Sequence, residues 1–291
     1  MRPFTKPRPP MDVSADVRTG ETPAPVESLP VAMREFLDRL NSLTDDDARR
    51  DLARTCFNAL NKRKLRSVMF SEQRSLCAYC ERPISERTDM DAQAGEKLRV
   101  DHWRPIENSP ELALEWGNLH LSCSGVHPTA EGEGSPSPTC DVSKGSELMT
   151  WGDGRFLPAP SDAAARYARW IGFNSLGEMY VRSDVGLTDP QRVALQRALT
   201  NVENRSGDGT RVPAAILNLN MKKLVVARKA VLDREWARME SLLPEREPGK
   251  GRPTPSEEYE RRIQQLLRAA RLPEFVSVRL AWLHRELNKG Q

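Results

Sequence analysis

The stretch that decides the fold opens with C-A-Y-C at residues 77–80 and ends beyond Cys140. Two cysteines separated by two residues have the spacing with which a tight turn presents two thiolates to one tetrahedral zinc ion. Cys123 (in LSC) and Cys140 (in TCD) add two more thiolates if residues 124–139 loop out. The Gly, Pro and Ser content of that segment is typical of a loop. We therefore predict one structural Zn²⁺. Its ligands are Cys77, Cys80, Cys123 and Cys140.

Between the two cysteine pairs lies V-D-H-W-R-P, in which Asp101 and His102 are adjacent at the end of a short apolar run. The segment W-G-N-L-H-L-S-C follows and places Asn118 at the start of a second strand-like run. Asp141 comes directly after Cys140, where a helical segment is expected. This order of motifs matches the HNH nuclease pattern, in which a zinc-bound frame holds a strand-strand-helix metal site.

The chemistry of phosphodiester hydrolysis explains these residue types. An imidazole can take a proton from water near neutral pH, so His102 is the predicted general base. Hard carboxylate oxygens suit Mg²⁺ or Mn²⁺, so Asp101 and Asp141 are the predicted ligands of a catalytic metal. Asn118 is predicted to orient the imidazole or to reach the metal. Adjacent strand residues point to opposite sides, so Asp101 and His102 need a turn or twist to serve one phosphate.

The other polar candidates carry weaker expectations. Arg104 and Lys144 flank the site and either bind substrate phosphate or are solvated charges. His127, inside the loop, is an alternative zinc ligand or an exposed histidine. We expect His120 to pack within its strand and His284 to be partly buried on a helix. Cys56 lies on an apolar helical stripe and is expected to be a small buried hydrophobe.

Composition excludes several classes of protein. The 291 residues hold 44 Lys and Arg against 41 Asp and Glu, which leaves a formal charge of +3 and no global basic field. Five cysteines are too few and too unevenly spaced for the disulfide framework of a small secreted domain. No segment is apolar enough to span a membrane, and the first 30 residues lack the apolar core of a secretion signal. We therefore expect a cytoplasmic protein without a membrane partner.

The expected fold class is α+β and mainly helical: a zinc-bound ββα-metal nuclease module with N- and C-terminal helices. Residues 1–30 are rich in proline and predict an extended tail, or a strap that orders on a partner. Periodicity predicts N-terminal helices over 31–76, then the module over 77–150, then a hairpin and helices over 151–243. A linker over 244–255 precedes C-terminal helices over 256–291, with a break near Pro273. The apolar residues of the last helix either complete the core or form a docking surface.

Taken together, six segments resemble the HNH nuclease subunit of Septu and retron-associated anti-phage systems. They are MRPFTKPRPP, CAYCERPI, VDHWRPIENS, LEWGNLHLSC, TCDVSKG and ILNLNMKKLVVAR. The likeness ends near Arg228. That family commonly has Glu-His where this chain has Asp101 and His102, and a basic residue at the position of Ile106. The resemblance implies an ATPase subunit, encoded with the nuclease, as a partner.

The sequence thus favours a metal-dependent endonuclease of bacterial antiviral defence that acts on DNA or RNA once a partner licenses it. A stand-alone restriction-like HNH enzyme is the first alternative, although no sequence-reading module or strong basic stripe is recognisable. A zinc-ribbon protein that binds nucleic acid without catalysis is the second. The latter would not need Asp101, His102 and Asn118 in HNH order.

Overall fold

The structure, a computed structural model, describes residues 29–85, 98–125, 138–162, 167–200, 216–242 and 254–289. The predicted tail up to residue 28, the linker residues 244–253 and His127 lie outside these ranges. The helices are α1 (Leu29–Asn41), α2 (Asp46–Ala59), α3 (Lys62–Glu72), α4 (Cys140–Lys144), α5 (Tyr167–Trp170), α6 (Asp189–Leu199), α7 (Lys222–Leu242), α8 (Pro255–Arg268) and α9 (Val276–Lys289). The strands are β1 (Arg99–His102), β2 (Leu119–Ser122), β3 (Ile171–Phe173) and β4 (Met179–Val181). The chain is mainly helical with small antiparallel sheets, as predicted.

Three helices precede the C-A-Y-C motif, which confirms the expectation from periodicity. The Asp45 carboxylate accepts a hydrogen bond from the Ala48 amide at 2.7 Å and so caps α2. Asn61 caps α3 in the same way, through the Lys64 amide. Leu40, Ala53 and Leu65 are fully buried between these helices. Packing of these apolar faces therefore forms the base on which the module rests.

Two two-stranded sheets follow, and both are antiparallel. In the first, Asp101 lies opposite His120, and His102 lies opposite Leu119. The side chain of Gln73, at the end of α3, is bonded to β2: its amide donates to the Leu121 carbonyl, and its oxygen accepts from the Leu121 amide. The second sheet is the predicted hairpin, with its turn between Phe173 and Met179. The buried glutamine thus fixes the first sheet to the N-terminal helices.

The C-terminal part forms helices close to the predicted positions. The Thr254 hydroxyl and the Glu257 carboxylate form a reciprocal capping box, so α8 begins at Pro255. The chain then breaks between Arg268 and Val276, around Pro273, as predicted. Among the described helices, none is both long and apolar enough to cross a membrane.

Two clusters of buried side chains organise the interior. The larger cluster is continuous from the N-terminal helices through the strands to α6 and α7. The smaller one lies where α7, α8 and α9 meet, and it includes Met239, Ile263 and Leu283. Phe275 and Val278, at the start of α9, belong to the larger cluster. Phe275, Val278 and Leu283 therefore complete the protein's own core, whereas Leu280 and Trp282 are only half-buried.

Hydrogen bonds join the C-terminal helices to the C-A-Y-C turn. The Glu81 carboxylate, directly after Cys80, accepts from the Ser277 amide at 2.9 Å and from the Ser277 hydroxyl. The Glu81 carbonyl accepts from the Phe275 amide at 3.0 Å. Arg74 donates to the Leu267 carbonyl at 2.9 Å. The start of α9 is therefore held directly on the turn that carries two of the four clustered cysteines.

A buried ion triad fastens the three C-terminal helices together. The Glu235 side chain on α7 has 0% exposure and contacts Arg262 of α8 and Arg279 of α9. Burial raises the pKa of the Glu235 carboxyl, but the two guanidinium groups outweigh that effect and hold the pKa below its usual value. The carboxylate is therefore ionised in the folded protein at neutral pH, and its one negative charge is shared by two nearly buried cations.

We predict that Glu235→Gln lowers the free energy of unfolding by about 3–5 kcal/mol, because it leaves two buried guanidinium groups without a counter-charge. Urea unfolding followed by circular dichroism measures the change. Asp233→Asn on the same helix is the matched control, since Asp233 pairs with Lys229 in solvent. That control is expected to cost about 0.5 kcal/mol or less. Equal effects of the two substitutions would contradict the structural importance of the triad.

Candidate functional site

The four predicted zinc ligands converge into one buried cluster. Their sulfur atoms all lie within 4.8 Å of one another. The Sγ–Sγ distances are 3.9 Å for Cys77 and Cys140, 3.8 Å for Cys80 and Cys123, and 3.7 Å for Cys123 and Cys140. A tetrahedron with Zn–S bonds of about 2.3 Å has edges of roughly 3.8 Å. The four cysteines can therefore hold a zinc ion.

Local hydrogen bonds explain how the two cysteine pairs meet. The Cys77 amide donates to the Arg82 carbonyl at 2.9 Å, and the Ala78 amide donates to the Leu121 carbonyl at 3.1 Å. The other pair is closed by the Thr139 amide, which donates to the Gly125 carbonyl at 3.0 Å. Gly125 has φ +66°, and a Cβ there would lie 2.3 Å from the Thr139 carbonyl oxygen. Only glycine fits this closure, which brings Cys123 and Cys140 together.

The strands β1 and β2 and the helix α4 follow one another in ββα order, with Cys123 directly after β2 and Cys140 at the start of α4. Because β1 is extended, its alternate residues contact different surroundings. Arg99 and Asp101 contact side chains of α4, whereas His102 contacts the N-terminal helices and the loop between the strands. The structure therefore places Asp101 and His102 on opposite sides of β1, and the turn expected to bring both to one side is not seen.

On the α4 side, the Asp101 carboxylate has two partners. The Lys144 ammonium lies 3.1 Å from its Oδ1, and the Tyr79 hydroxyl donates to its Oδ2. Burial raises the pKa of Asp101 to about 6, although both partners favour the ionised form. Lys144 is 1% exposed and also donates to the His102 carbonyl. The expectation that Lys144 binds substrate phosphate is therefore corrected, because the Lys144 ammonium pairs with the Asp101 carboxylate inside the protein.

On the other side, the His102 ring is fixed by its Nε2 atom. The distance from Nε2 to the Ala113 carbonyl oxygen is 2.9 Å, so Nε2 carries the proton and donates it. The Phe57 ring packs edge-on against the imidazole, with the ring centroids 4.4 Å apart. Nδ1 accepts no hydrogen bond from any residue that the structure describes. Burial lowers the pKa of His102 to about 4, so the imidazole is neutral at neutral pH. This tautomer leaves the Nδ1 lone pair able to accept a proton.

Asn118 acts on the backbone rather than on the imidazole or a metal. Its Oδ1 accepts from the Arg104 amide at 2.7 Å, and its Nδ2 donates to the carbonyls of Arg104 and Leu112 at 3.0 and 3.1 Å. These bonds close the loop between the strands, and Ala113 lies in that loop. Asn118 therefore positions His102 indirectly, by fixing the segment that supplies the Ala113 carbonyl.

Asp141 lies on the same side of β1 as Asp101. Its Oδ1 accepts from the Ser122 hydroxyl at 2.8 Å, and its Oδ2 pairs with Arg99 at 2.5 Å. Burial raises its pKa, an effect that Ser122 and Arg99 oppose. The negative charge of Asp141 in turn raises the pKa of Asp101. Two carboxylates therefore share this face, each balanced by a basic side chain.

The remaining candidates occupy structural positions. The Arg104 guanidinium stacks on the Phe156 ring, with its Cζ 3.4 Å from the centroid. His120 is fully buried, as expected, with its Nε2 bonded to the Ser161 hydroxyl at 3.1 Å. His284 is exposed on α9 rather than partly buried, because Leu283 takes the inward position. Cys56 is half-buried against the large core.

Sequence reasoning missed two groups near the site, Tyr79 and Lys62. Tyr79 lies between Cys77 and Cys80 in the sequence, but only the fold shows that its hydroxyl donates to Asp101. The Lys62 ammonium lies over the Phe57 ring and donates to the Phe57 carbonyl. Burial lowers the pKa of Lys62 to about 7. Its charge also lowers the pKa of His102, so it belongs to the same neighbourhood, although the run K-R-K at 62–64 is typical of a solvated face.

Comparison with known proteins identifies no family for this chain. No protein-family model matches this chain, and no curated protein matches it significantly. The site is therefore characterised by its own geometry. Among the described residues, the four cysteines are the one cluster of three or more His, Cys, Asp or Glu side chains close enough to share a metal ion.

We predict that the purified protein contains one zinc ion per chain and that Cys77→Ser loses it. A structural zinc site contributes roughly 10 kcal/mol or more of folding free energy in small zinc peptides, so the variant should also lose soluble, folded protein. Elemental analysis by mass spectrometry measures the metal. Cys56→Ser, outside the cluster, is the matched control and should keep it. Folded wild-type protein without zinc would contradict the prediction.

We also predict that Asn118→Ala lowers the free energy of unfolding by roughly 3 kcal/mol, because three backbone groups lose their partner. Thermal or urea unfolding measures this loss. Asn58, exposed on α2, supplies the matched control. Asn58→Ala is expected to change stability by about 0.5 kcal/mol or less. A stable Asn118→Ala variant would show that the loop holds its shape without the amide.

Proposed function

We propose that the protein is a metal-dependent HNH endonuclease that hydrolyses phosphodiester bonds of nucleic acid. The observation that carries this proposal is the state of His102. Its Nε2–H donates to the Ala113 carbonyl, and its Nδ1 is left without an internal partner among the described residues. It follows Asp101 in a segment of ββα order whose cysteine cluster can hold zinc. A purely structural zinc ribbon has no need of an imidazole fixed in this tautomer.

In the proposed reaction, His102 Nδ1 takes a proton from a water molecule whose oxygen attacks the phosphorus. The Ala113 carbonyl stabilises the imidazolium that forms, because it accepts the Nε2–H bond. Asn118 and Phe57 hold the ring while the proton moves. The leaving oxygen receives a proton from solvent, and the bond between it and phosphorus breaks.

The catalytic metal is part of the proposal. Asp101 and Asp141 are hard oxygen donors on one face, and Mg²⁺ is commonly bound by one or two carboxylates together with substrate phosphate. Every oxygen of these two carboxylates already has a partner in Tyr79, Lys144, Ser122 or Arg99. A metal ion would bind there only by displacing Lys144 and Arg99, and it would lie across β1 from His102. Mg²⁺ or Mn²⁺ held by Asp101 and Asp141 would supply positive charge against the developing phosphoryl and leaving-group oxygens. Tyr79 and Lys144 keep Asp101 oriented towards α4.

The biological setting comes from the resemblance alone. We propose that the nuclease is an effector of a bacterial anti-phage system and works with an ATPase subunit encoded beside it, in the cytoplasm. The substrate is DNA or RNA. A stand-alone restriction-like nuclease and a zinc-ribbon protein without catalysis are the alternatives, and the same experiment separates all three.

We predict that His102→Ala lowers the cleavage rate at least 100-fold, because the loss of a general base costs about that much or more. Plasmid DNA and total RNA are incubated with Mg²⁺ or Mn²⁺, with and without the neighbouring ATPase. Asp101→Asn should lose activity as well. Asp153→Asn, at an exposed turn, is the matched control for removal of a carboxylate charge.

Zinc content and circular dichroism are measured for each variant, and His102→Gln provides a second substitution with less loss of packing. Full activity of folded His102 variants would refute the proposed base. Activity of the wild type without the ATPase would favour the stand-alone enzyme. Nucleic-acid binding without any cleavage, with or without the ATPase, would favour the zinc-ribbon protein.

A further inference from the structure

A large groove lies outside the nuclease module, between the β3–β4 hairpin and helix α9. Its volume is about 1030 Å³, at the upper end of what small-molecule sites enclose. Side chains of the hairpin form one wall and side chains of α9 the other. The proposed catalytic residues do not line it. The groove is therefore a separate surface feature, and half of its lining residues lie beyond Arg228, where the family resemblance ends.

The charge of the groove is positive. Four basic side chains line it: Arg169, Arg182, Arg285 and Lys289. Arg182 pairs with Asp184, while Arg285 and Lys289 share Glu286. Arg169 contacts no carboxylate within the described part of the chain. Four cations thus face two carboxylates. Such an excess attracts a ligand with several negative charges.

An aromatic ring lies among these cations. Tyr180 on β4 is 45% exposed, although it is large and apolar. Its ring lies across Gly172 of β3, where a Cβ would come within 2.4 Å of the ring. Glycine thus lets the tyrosine lie against bare backbone. Trp282 of α9, packed against Tyr259, lines the opposite wall. Aromatic side chains set between basic ones are typical of surfaces on which single-stranded bases stack.

The groove is also connected to the nuclease module. Phe173 and Val278 line it, and the same two residues line a small cavity that is bounded by Tyr79 and Cys80. The floor of the groove therefore lies against the back of the turn that carries two of the clustered cysteines. Tyr79 of that turn donates to Asp101. A nucleic-acid strand in the groove would lie next to the module rather than far from it.

We propose that this groove binds a single-stranded segment of nucleic acid, through phosphate contacts to its arginines and base stacking on Tyr180. The proposal rests on the proposed nuclease function, for which it names the form of the substrate. An acidic peptide would match the charge of the groove, but it offers no ring to stack on Tyr180. Nucleic acid is therefore the better match.

The test measures the binding of a fluorescein-labelled oligothymidylate of 20 nucleotides to full-length protein that carries His102→Ala, so that nothing is cleaved. Fluorescence anisotropy is recorded at several salt concentrations. We expect Arg169→Glu and Tyr180→Ala each to weaken binding about tenfold, since stacking on one aromatic side chain contributes roughly that much. Tyr180→Phe should retain binding. Arg155→Glu is the matched control, because Arg155 is 83% exposed and lies outside the groove.

Three outcomes would overturn the proposal. If Arg169→Glu and Arg155→Glu weaken binding equally, general charge rather than the groove binds the strand. If a 20-base-pair duplex binds as tightly as the single strand, the groove does not select single-stranded nucleic acid. If polyglutamate displaces the oligonucleotide and Tyr180→Ala has no effect, the groove takes an acidic peptide. Groove-dependent binding by a wild-type protein that cleaves nothing would refute the nuclease instead and leave this site standing.

Discussion

The clustering of four thiols is the constraint on which the rest of the described structure depends. Cys77 and Cys80 follow the N-terminal helices, Cys123 ends β2, and Cys140 begins α4. One buried cluster therefore sets the relative positions of three segments that are distant in sequence. The C-terminal helices are joined to the same place through Glu81 and Ser277. A metal ion bound here would hold together strands that are only four residues long, which a larger hydrophobic core does in other proteins.

Much of the fold was predictable, because local sequence patterns determine the cysteine cluster and the helices. The cysteine spacing predicts the cluster, and apolar periodicity together with capping residues predicts the helices. The break near Pro273 follows from the restricted backbone of proline. The buried position of Phe275 and Val278 was left open, because a sequence pattern shows that a face is apolar and not what covers it.

The fine structure of the site was less predictable, for a physical reason. Asn118 bonds to the backbone at residues 104 and 112, and Lys144 pairs with a carboxylate 43 residues earlier in the chain. Such partners depend on how a loop closes, which neither composition nor spacing shows. The same holds for Lys62. Its basic neighbours in the sequence suggest a solvent-exposed side chain, but its ammonium lies over the Phe57 ring. By contrast, the opposed directions of Asp101 and His102 follow from strand geometry, and the structure keeps that geometry.

The closure between Gly125 and Thr139 also bears on how this protein can diverge. A hydrogen bond across the base of the loop fixes both ends beside Cys123 and Cys140. The free energy of closing a loop then depends only weakly on its length, at about 0.6 kcal/mol for each doubling. Homologues can therefore lengthen, shorten or replace residues 126–137 without disturbing the thiols, while Gly125 stays fixed by the backbone it must approach. Evolutionary variation and engineered insertions should concentrate in that interval, next to an otherwise unchanging centre.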